Sequence, residues 1–232
     1  LHYALPISHV VAGTLSFADA VRTVRSRGRY MQQAVPAGEG AMAAILGLAA
    51  ALGAELCSQA SDSLTPLPPE AGAFNPNLAV VSPANLNSPD QTVISGAAGA
   101  VHLAADLCKQ AGAKRTVILQ VSAPFHCALM QPAQDALAAD LQTVAFADPK
   151  IPVAANVSAS LITNAGAATQ ALVHQVTGAV RWVDCIQLLI AQGATHFIEV
   201  GPGKVLCGLM RQIDREQKTL NVEDTASLDK TH

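Results

Sequence analysis

The 232-residue sequence has few aromatic and few charged side chains. Aromatic residues make up 3% of it and charged residues 13%, whereas 50% of its residues are apolar. Because most of the apolar residues are Ala, Val and Leu, we expect a core of small aliphatic side chains between closely spaced helices and strands. The length fits one large domain, or one domain that carries a smaller one. A formal net charge of −3 gives no electrostatic footprint for nucleic acid and no basic surface for a membrane.

The sequence also lacks the patterns of spanning helices, disulfide frameworks and metal sites. Its longest uncharged apolar stretch, residues 41–54, falls short of the roughly 18 residues that a spanning helix needs. No basic n-region precedes it, so a secretory signal is not expected. The five cysteines form no CxxC pair, which predicts reduced thiols in a cytoplasmic protein. The seven histidines lack ligand spacing, so we expect no metal and no other cofactor.

Residues 38–120 show the sequence pattern of alternating strands and helices. The pattern predicts strands at 41–46, 78–84, 91–95 and 116–120, and helices at 49–59 and 97–111. This βαββαβ order predicts a ferredoxin-like α+β unit. Residues 61–77 are rich in Pro, Ser and Gly and predict a surface loop.

A different alternation follows Pro124. It predicts helices at 128–141, 169–176, 182–192 and 205–215, and strands at 153–157 and 196–200, the second of them buried. Strands that alternate with helices indicate a parallel α/β sheet. The residues from 216 onward are polar and predict a poorly ordered tail, and residues 1–8 show no helical or strand period.

Two charged side chains in this frame are candidates for chemistry. Ser16 and Asp19 begin a helix as a capping-box-like pair, and the apolar stripe of this helix is centred near Phe17. Arg27 lies at the rim of that stripe, apart from three arginines on the solvent side. From the residues alone, Arg27 is either a snorkelling arginine or an anion ligand. His126 follows a strand and Pro124, where it is either a partly buried histidine or a base that faces a cleft.

Other candidate motifs are weaker. A Cys–His pair of Cys127 with His126 is disfavoured because neighbouring side chains diverge. The turn at residues 201–204 lacks phosphate-loop spacing and predicts a tight strand-to-helix connection. The sequence has no serine in a G-x-S-x-G elbow.

Four segments, residues 17–48, 82–95, 121–130 and 199–206, together resemble one protein family. They include the sequences SRGRYMQQ, SPANLNSP, VSAPFHCALM and EVGPGKVL. From about Val10 onward, the chain closely resembles the malonyl-CoA:acyl-carrier-protein transacylases of bacterial fatty-acid synthesis. The resemblance implies an α/β fold, with a hydrolase-like parallel-sheet core, incomplete at the N-terminus, and an inserted ferredoxin-like subdomain. The core would comprise residues 9–37 and 121–215, and the subdomain residues 38–120, with residues 1–8 foreign to the domain and 216–232 a polar tail.

The resemblance also implies roles for particular residues. His126 corresponds to the catalytic base, and Arg27 to the arginine that binds the malonyl carboxylate, for which a guanidinium fork is well shaped. Gln175 corresponds to the residue whose backbone carbonyl orients the base. Phe125 corresponds to a position whose bulk favours malonyl over branched acyl groups.

The partners implied are malonyl-CoA and an acidic acyl carrier protein that brings the phosphopantetheine thiol, with Lys114 and Arg115 as its candidate docking residues. The family suggests a monomer, and we expect no nucleic-acid or membrane partner.

The sequence departs from the family where the nucleophile is expected. The family's GHSxGE-type elbow directly precedes the segment that corresponds to Val11, Ala12 and Gly13, and His2 lies near the place of the serine. The family's GQGxQ segment is not found either. We therefore expect the chain as given to be inactive. The alternative is a non-catalytic remnant that binds carrier protein or CoA; a thiol redox protein would need the paired cysteines that are not seen.

Overall fold

The computed structural model describes residues 4–65 and 76–231. The helices within this part are α1 (Ala4–Val11), α2 (Phe17–Gln33), α3 (Ala50–Leu64), α4 (Ala98–Gln110), α5 (Gln131–Leu141), α6 (Ala165–His174), α7 (Trp182–Ala191), α8 (Val205–Ile213) and α9 (Thr225–Asp229). The strands are β1 (Gly40–Leu46), β2 (Val81–Ser88), β3 (Gln91–Ala97), β4 (Arg115–Ile118), β5 (Val153–Ala155), β6 (Ser160–Ile162), β7 (His196–Val200) and β8 (Lys218–Val222). Short 3-10 turns lie at Pro76–Ala79 and Ala128–Met130.

The elements from β1 to β4 follow the predicted βαββαβ order. Their strands form a four-stranded antiparallel sheet in the order β2-β3-β1-β4, and α3 and α4 pack together against it. The inward positions of the sheet and of the two helices are small aliphatic side chains, as the composition predicts. The division into a core and a subdomain at residues 38 and 120 stays a prediction. The predicted loop 61–77 is wrong at residues 61–64, where α3 continues through polar side chains that were interpreted as loop. Residues 66–75 lie outside the described part.

The second group of elements meets this sheet at β2. Strands β5 and β6 form an antiparallel hairpin, of which β6 was not predicted, and β7 pairs in parallel with β8. The N–H of Leu86 in β2 donates to the carbonyl of Val180, and the N–H of Val180 donates to the carbonyl of Ala84, both at 2.8 Å. The segment before α7 is thereby fixed to the edge of the four-stranded sheet.

Helix α2 begins where the sequence predicts, because Ser16 Oγ accepts a hydrogen bond from the N–H of Asp19 at 3.0 Å. Its buried face differs from the predicted one. The predicted stripe was centred on Phe17, but Phe17 is 74% exposed and Val21 is 51% exposed. The side chains that are buried are those of Ala20, Thr23, Arg27 and Met31.

At about 100° per residue, the buried face of α2 is centred roughly 70° from the predicted one. Arg27 therefore lies near the middle of the buried face rather than at its rim. The other three arginines of the helix are exposed, as predicted: Arg22, Arg25 and Arg29. The face that turns inward is the one that packs against α1 and α5, and those contacts decided its direction.

Three further expectations are wrong. Residues 4–8 belong to α1, in which Leu5 and His9 are buried while Ile7 and Val11 are exposed; apolar side chains on both sides of a short helix hide its period. Whether residues 1–8 are foreign stays a prediction, and His2 lies outside the described residues.

Strand β7 was predicted to be buried, yet Ile198 is 52% and Val200 80% exposed. Among the described residues β7 has a strand partner on one side only. That partner, β8, and the capped helix α9 occupy the predicted disordered tail. β8 was not predicted because its backbone hydrogen bonds to β7 hold it in place, and its polar side chains show no strand pattern in the sequence.

Among the described residues, no helix is both long and apolar enough to cross a bilayer.

Candidate active site

His126 lies in the loop between β4 and the turn before α5. The ring of Pro124, two residues earlier, packs on Gly40 at the start of β1 so closely that a Cβ at Gly40 would come within 2.4 Å of it. This contact fixes the loop on the four-stranded sheet. His126 is 2% exposed and has a φ of +62°, a left-handed conformation that is uncommon for a residue with a side chain. Such strain is concentrated at functional sites, where the surrounding structure imposes it.

The imidazole of His126 is oriented by Gln175. Nδ1 of His126 lies 2.9 Å from the backbone carbonyl oxygen of Gln175. A carbonyl oxygen can only accept, so Nδ1 carries the proton and donates it, and Nε2 of the neutral ring is the nitrogen that can accept a proton. This is the arrangement of a general base.

The carbonyl that orients His126 belongs to the C-terminal end of a helix. Gln175 is the C-cap residue of α6, and the last carbonyls of a helix have no partner within the helix. The helix macrodipole places partial negative charge at this end, which favours the imidazolium that forms when the base has accepted a proton. The structure thus brings together His126 and the predicted carbonyl of Gln175.

Arg27 lies in the wall of a small cavity that His126 also lines. The residue is 5% exposed, and the cavity lies between α1, α2 and the loop after α6. The lining residues are Leu5, Pro6, Arg27, His126, Asn156, Leu172, Gln175 and Val180. A buried guanidinium beside an imidazole and apolar side chains is suited to a small anionic group.

Asn156 is the polar lining residue that sequence reasoning missed. It directly follows β5, and a polar residue on a loop that a strand positions is a general candidate for a binding site. That position was the available signal, but the predicted strand extended to residue 157 and covered it. None of the described lining residues carries a hydroxyl or a thiol.

Cys127 does not join His126 as a catalytic pair. Its Sγ lies 3.1 Å from the carbonyl oxygen of Pro124, to which it donates. Burial raises the pKa of the Cys127 thiol, so the reactive thiolate is disfavoured. All five cysteines are free and buried, and within the described ranges no cluster of His, Cys, Asp and Glu could hold a metal ion.

The three remaining predicted site residues lie outside the cavity lining. Phe125 is half-buried and packs between the two apolar clusters of the core. Lys114 and Arg115 are exposed at the start of the edge strand β4, and the Lys114 side chain lies over Gly47. The structure therefore does not bring Phe125 into the described cavity, and it leaves both basic residues accessible.

The turn at residues 201–204 connects β7 to α8, as predicted. The carboxylate of Glu199 accepts hydrogen bonds from the N–H groups of Leu206 at 3.0 Å and Cys207 at 2.8 Å. Because this carboxylate already satisfies the helix N-terminus, the phosphate-loop alternative has no support here.

Three comparisons with known proteins give the same result. The family model described as acyl transferase domain matches residues 7–230. A malonyl CoA-acyl carrier protein transacylase of Bacillus subtilis is 48% identical over 220 residues, which are 95% of this chain and 65% of that relative. The chain thus spans just under two thirds of the length of this relative.

Solved structures confirm the predicted α/β fold class. An acyl carrier protein S-malonyltransferase from Vibrio cholerae has 45% identity and a TM-score of 0.88, over 97% of this chain and 68% of that one. A second similar structure is a complex of a type II polyketide-synthase acyl carrier protein with its malonyl-transacylase. It has 40% identity and a TM-score of 0.87, over 98% of this chain and 68% of that one.

Proposed function

Because the chain belongs to the acyl transferase domain family, we propose that it supplies the base and the carboxylate-binding side chain for malonyl transfer from CoA to an acyl carrier protein. The observation that carries the proposal is the shared cavity of His126 and Arg27, with the His126 ring oriented by the carbonyl of Gln175. The names of the similar proteins support malonyl as the acyl group.

In the proposed reaction, Nε2 of His126 takes the proton of a serine hydroxyl while the serine oxygen attacks the thioester carbonyl of malonyl-CoA. The CoA thiolate leaves and takes that proton back from the imidazolium. The phosphopantetheine thiol of the carrier protein then gives its proton to His126 and attacks the seryl ester, and the serine recovers its proton. Arg27 holds the malonyl carboxylate throughout, so the carboxylate stays charged in the buried cavity.

We further propose that these 232 residues do not form the seryl ester by themselves. No serine stands in a G-x-S-x-G context, and the described cavity lining offers no hydroxyl. This observation favours the second candidate function, binding of malonyl-CoA or carrier protein without turnover.

A hybrid protein separates the two functions. The N-terminal part of the Bacillus subtilis relative, through its nucleophile segment, is joined to residues 10–232 of this chain. With radiolabelled malonyl-CoA we expect the hybrid to form a labelled ester and to pass it to carrier protein, and the chain alone to stay unlabelled. A stable serine ester on the chain alone would contradict the second proposal.

His126→Ala in the hybrid tests the base. Ester formation should slow at least about 100-fold, the low end for a positioned acid–base group. An effect below about tenfold would reduce His126 to a structural role.

We propose Lys114 and Arg115 as docking residues for the acidic carrier protein, because both are exposed and basic on one strand edge. Charge reversal of both in the hybrid should raise KM for carrier protein and leave KM for malonyl-CoA nearly unchanged. Equal changes in both constants would contradict docking at this edge. A monomeric state, a cytoplasmic location, the absence of a cofactor and a selectivity role for Phe125 stay predictions.

A further inference from the structure

The side chain of Gln175 makes contacts that its backbone role does not require. Its carboxamide is buried, and Nε2 donates to the carbonyl of Gly178 at 2.9 Å and lies 3.3 Å from the carbonyl of Ala179. The side chain of Gln175 therefore contacts the carbonyls three and four residues later, while its own backbone carbonyl accepts from Nδ1 of His126.

The loop that the carboxamide holds is tightly packed. The N–H of Gly178 donates to the carbonyl of His174 at 2.8 Å. A Cβ at Gly178 would lie 2.5 Å from Val157 Cγ2 and 2.8 Å from the His174 carbonyl oxygen, so only glycine allows this approach. Two residues later, Val180 pairs with β2. The loop is fixed at both of its ends.

We propose that the carboxamide of Gln175 is a positioning residue for His126. By tying residues 178 and 179 to the end of α6, it fixes the peptide plane whose carbonyl accepts from Nδ1, and through that plane it fixes the tautomer and direction of the ring. The proposal rests on the proposed role of His126 as the base and adds the side-chain group that supports it.

The chemistry of the contact requires an amide. A carboxamide NH₂ offers two donors, and two backbone carbonyls lie within reach of it. A glutamate would place acceptor oxygens against these carbonyls, and a methionine of similar length would fill the space without donating. Without this contact, the peptide plane that carries the Gln175 carbonyl keeps only the bond from the N–H of Val176 to the carbonyl of Val173, at 3.1 Å, and we expect the plane to tilt, because a carbonyl at a helix C-terminus has no partner within the helix.

The test reads the tautomer of His126 directly, in the chain itself labelled with [¹⁵N]histidine. In the parent, the ¹⁵N shifts at a pH where the ring is neutral should show the proton on Nδ1. In Gln175→Met, we expect a mixture of tautomers, with the Nε2–H form clearly populated. An unchanged, fully Nδ1–H ring in a folded Gln175→Met protein would overturn the proposal.

A matched control lies two residues away. Thr177 Oγ1 donates to Gln134 Oε1 at 2.6 Å, so Thr177→Val removes one hydrogen bond from the same loop and leaves the carboxamide in place. The His126 tautomer should not change in this variant. If it changes as much as in Gln175→Met, general loosening of the loop accounts for the effect and the proposal fails.

Two measurements keep the test decisive if Gln175→Met does not fold. Gln175→Asn keeps both donors but is one methylene too short, and it should shift the tautomer in the same direction. In the parent, the carboxamide protons of [¹⁵N]Gln175 should exchange slowly with water. A rapidly exchanging carboxamide would overturn the proposal without any variant.

Activity measurements distinguish a failure of the positioning role from a failure of the proposed function. In the hybrid, Gln175→Met should lower kcat at least about tenfold, since misplacing a catalytic group is costly, and should leave KM for malonyl-CoA nearly unchanged. If the parent hybrid does not transfer malonyl, the proposed function is contradicted but the positioning role is not, because the tautomer measurement needs no turnover. If Gln175→Met has a normal kcat, the positioning role is contradicted but the proposed function is not.

Discussion

At the scale of single residues, Arg27 shows what a helical pattern can and cannot tell. The sequence separated it from the exposed arginines Arg22, Arg25 and Arg29 correctly, because those three follow the solvent face. It placed Arg27 at a rim, whereas the residue is 5% exposed on the inward face. The error arose from treating Phe17 as the centre of the stripe; at the first turn of a helix an apolar side chain can extend past the neighbouring elements.

The first prediction concerns the acyl selectivity that Arg27 confers. In the hybrid, Arg27→Ala should cost malonyl transfer about 2 kcal/mol, roughly thirtyfold in kcat/KM, since hydrogen bonds to charged groups are worth about 1.5–3 kcal/mol. Acetyl-CoA has no carboxylate and should lose nothing through this contact. The measurement is the ratio of kcat/KM for the two thioesters, which cancels general damage to the fold.

The exposed Arg25 on the same helix is the matched control for Arg27. Arg25→Ala should leave the malonyl-to-acetyl ratio unchanged. A ratio in Arg27→Ala that stays within a factor of three of the parent would show that Arg27 is a scaffold residue.

The second prediction concerns His9, which no pattern in the sequence singled out. It is fully buried, and among the described residues neither ring nitrogen has a hydrogen-bond partner. Desolvation lowers the pKa of His9 below its usual 6.5. Between the lowered pKa of the folded chain and 6.5, the unfolded chain therefore binds more protons than the folded one, and folding stability declines as the pH falls through that window, by up to about 1.4 kcal/mol per pH unit.

His9→Leu should remove this pH dependence. It also removes an unsatisfied buried polar group, so the variant should be more stable than the parent by about 1–3 kcal/mol at neutral pH. Urea unfolding at pH 7.5 and 5.5 is the measurement, with the exposed His102→Gln as control. A parent whose stability is the same at both values, or a His9→Leu variant with undiminished acid sensitivity, would contradict the assignment.

At the scale of elements, the sequence predicted most where the period was regular. The βαββαβ order, the Ser16 cap and helix α7 are as predicted, because each has a clean period or a side-chain signal. It failed where tertiary contacts decide. β8 is polar and is held by its backbone pairing with β7, and α1 has apolar side chains on opposite sides.

In the candidate site too, the sequence identified residues but not the tertiary contacts that support them. The resemblance identified His126, Arg27 and the carbonyl of Gln175, and the structure brings all three to one cavity. The contacts that support them were not visible in the sequence. The bonds from the Gln175 carboxamide, the closeness of Pro124 to Gly40 and the pairing of Val180 with β2 join residues through the fold, and neither spacing nor periodicity records such contacts.

At the scale of the whole molecule, the prominent feature is an apolar groove between α1, β5, α7 and β7. Its exposed large side chains are Ile7, Val11, Ile151, Ile198 and Val200. Among the described residues β7 is paired on one edge only, so backbone donors and acceptors border the groove. Exposed apolar surface next to an open strand edge favours association with other apolar groups.

The last prediction is that this groove governs how the chain behaves in solution. The chain should bind an apolar fluorescent dye, and the fraction of it that stays soluble should fall on gentle warming. Ile7→Lys with Val200→Lys should reduce both effects, because charged side chains on the groove and on its strand edge oppose apolar contact. Leu64→Lys, at an exposed position on α3 outside the groove, is the control for added charge. If Leu64→Lys lowers dye binding as much as the double variant does, the added charge and not the groove accounts for the effect. If neither variant changes dye binding, the dye binds elsewhere on the chain.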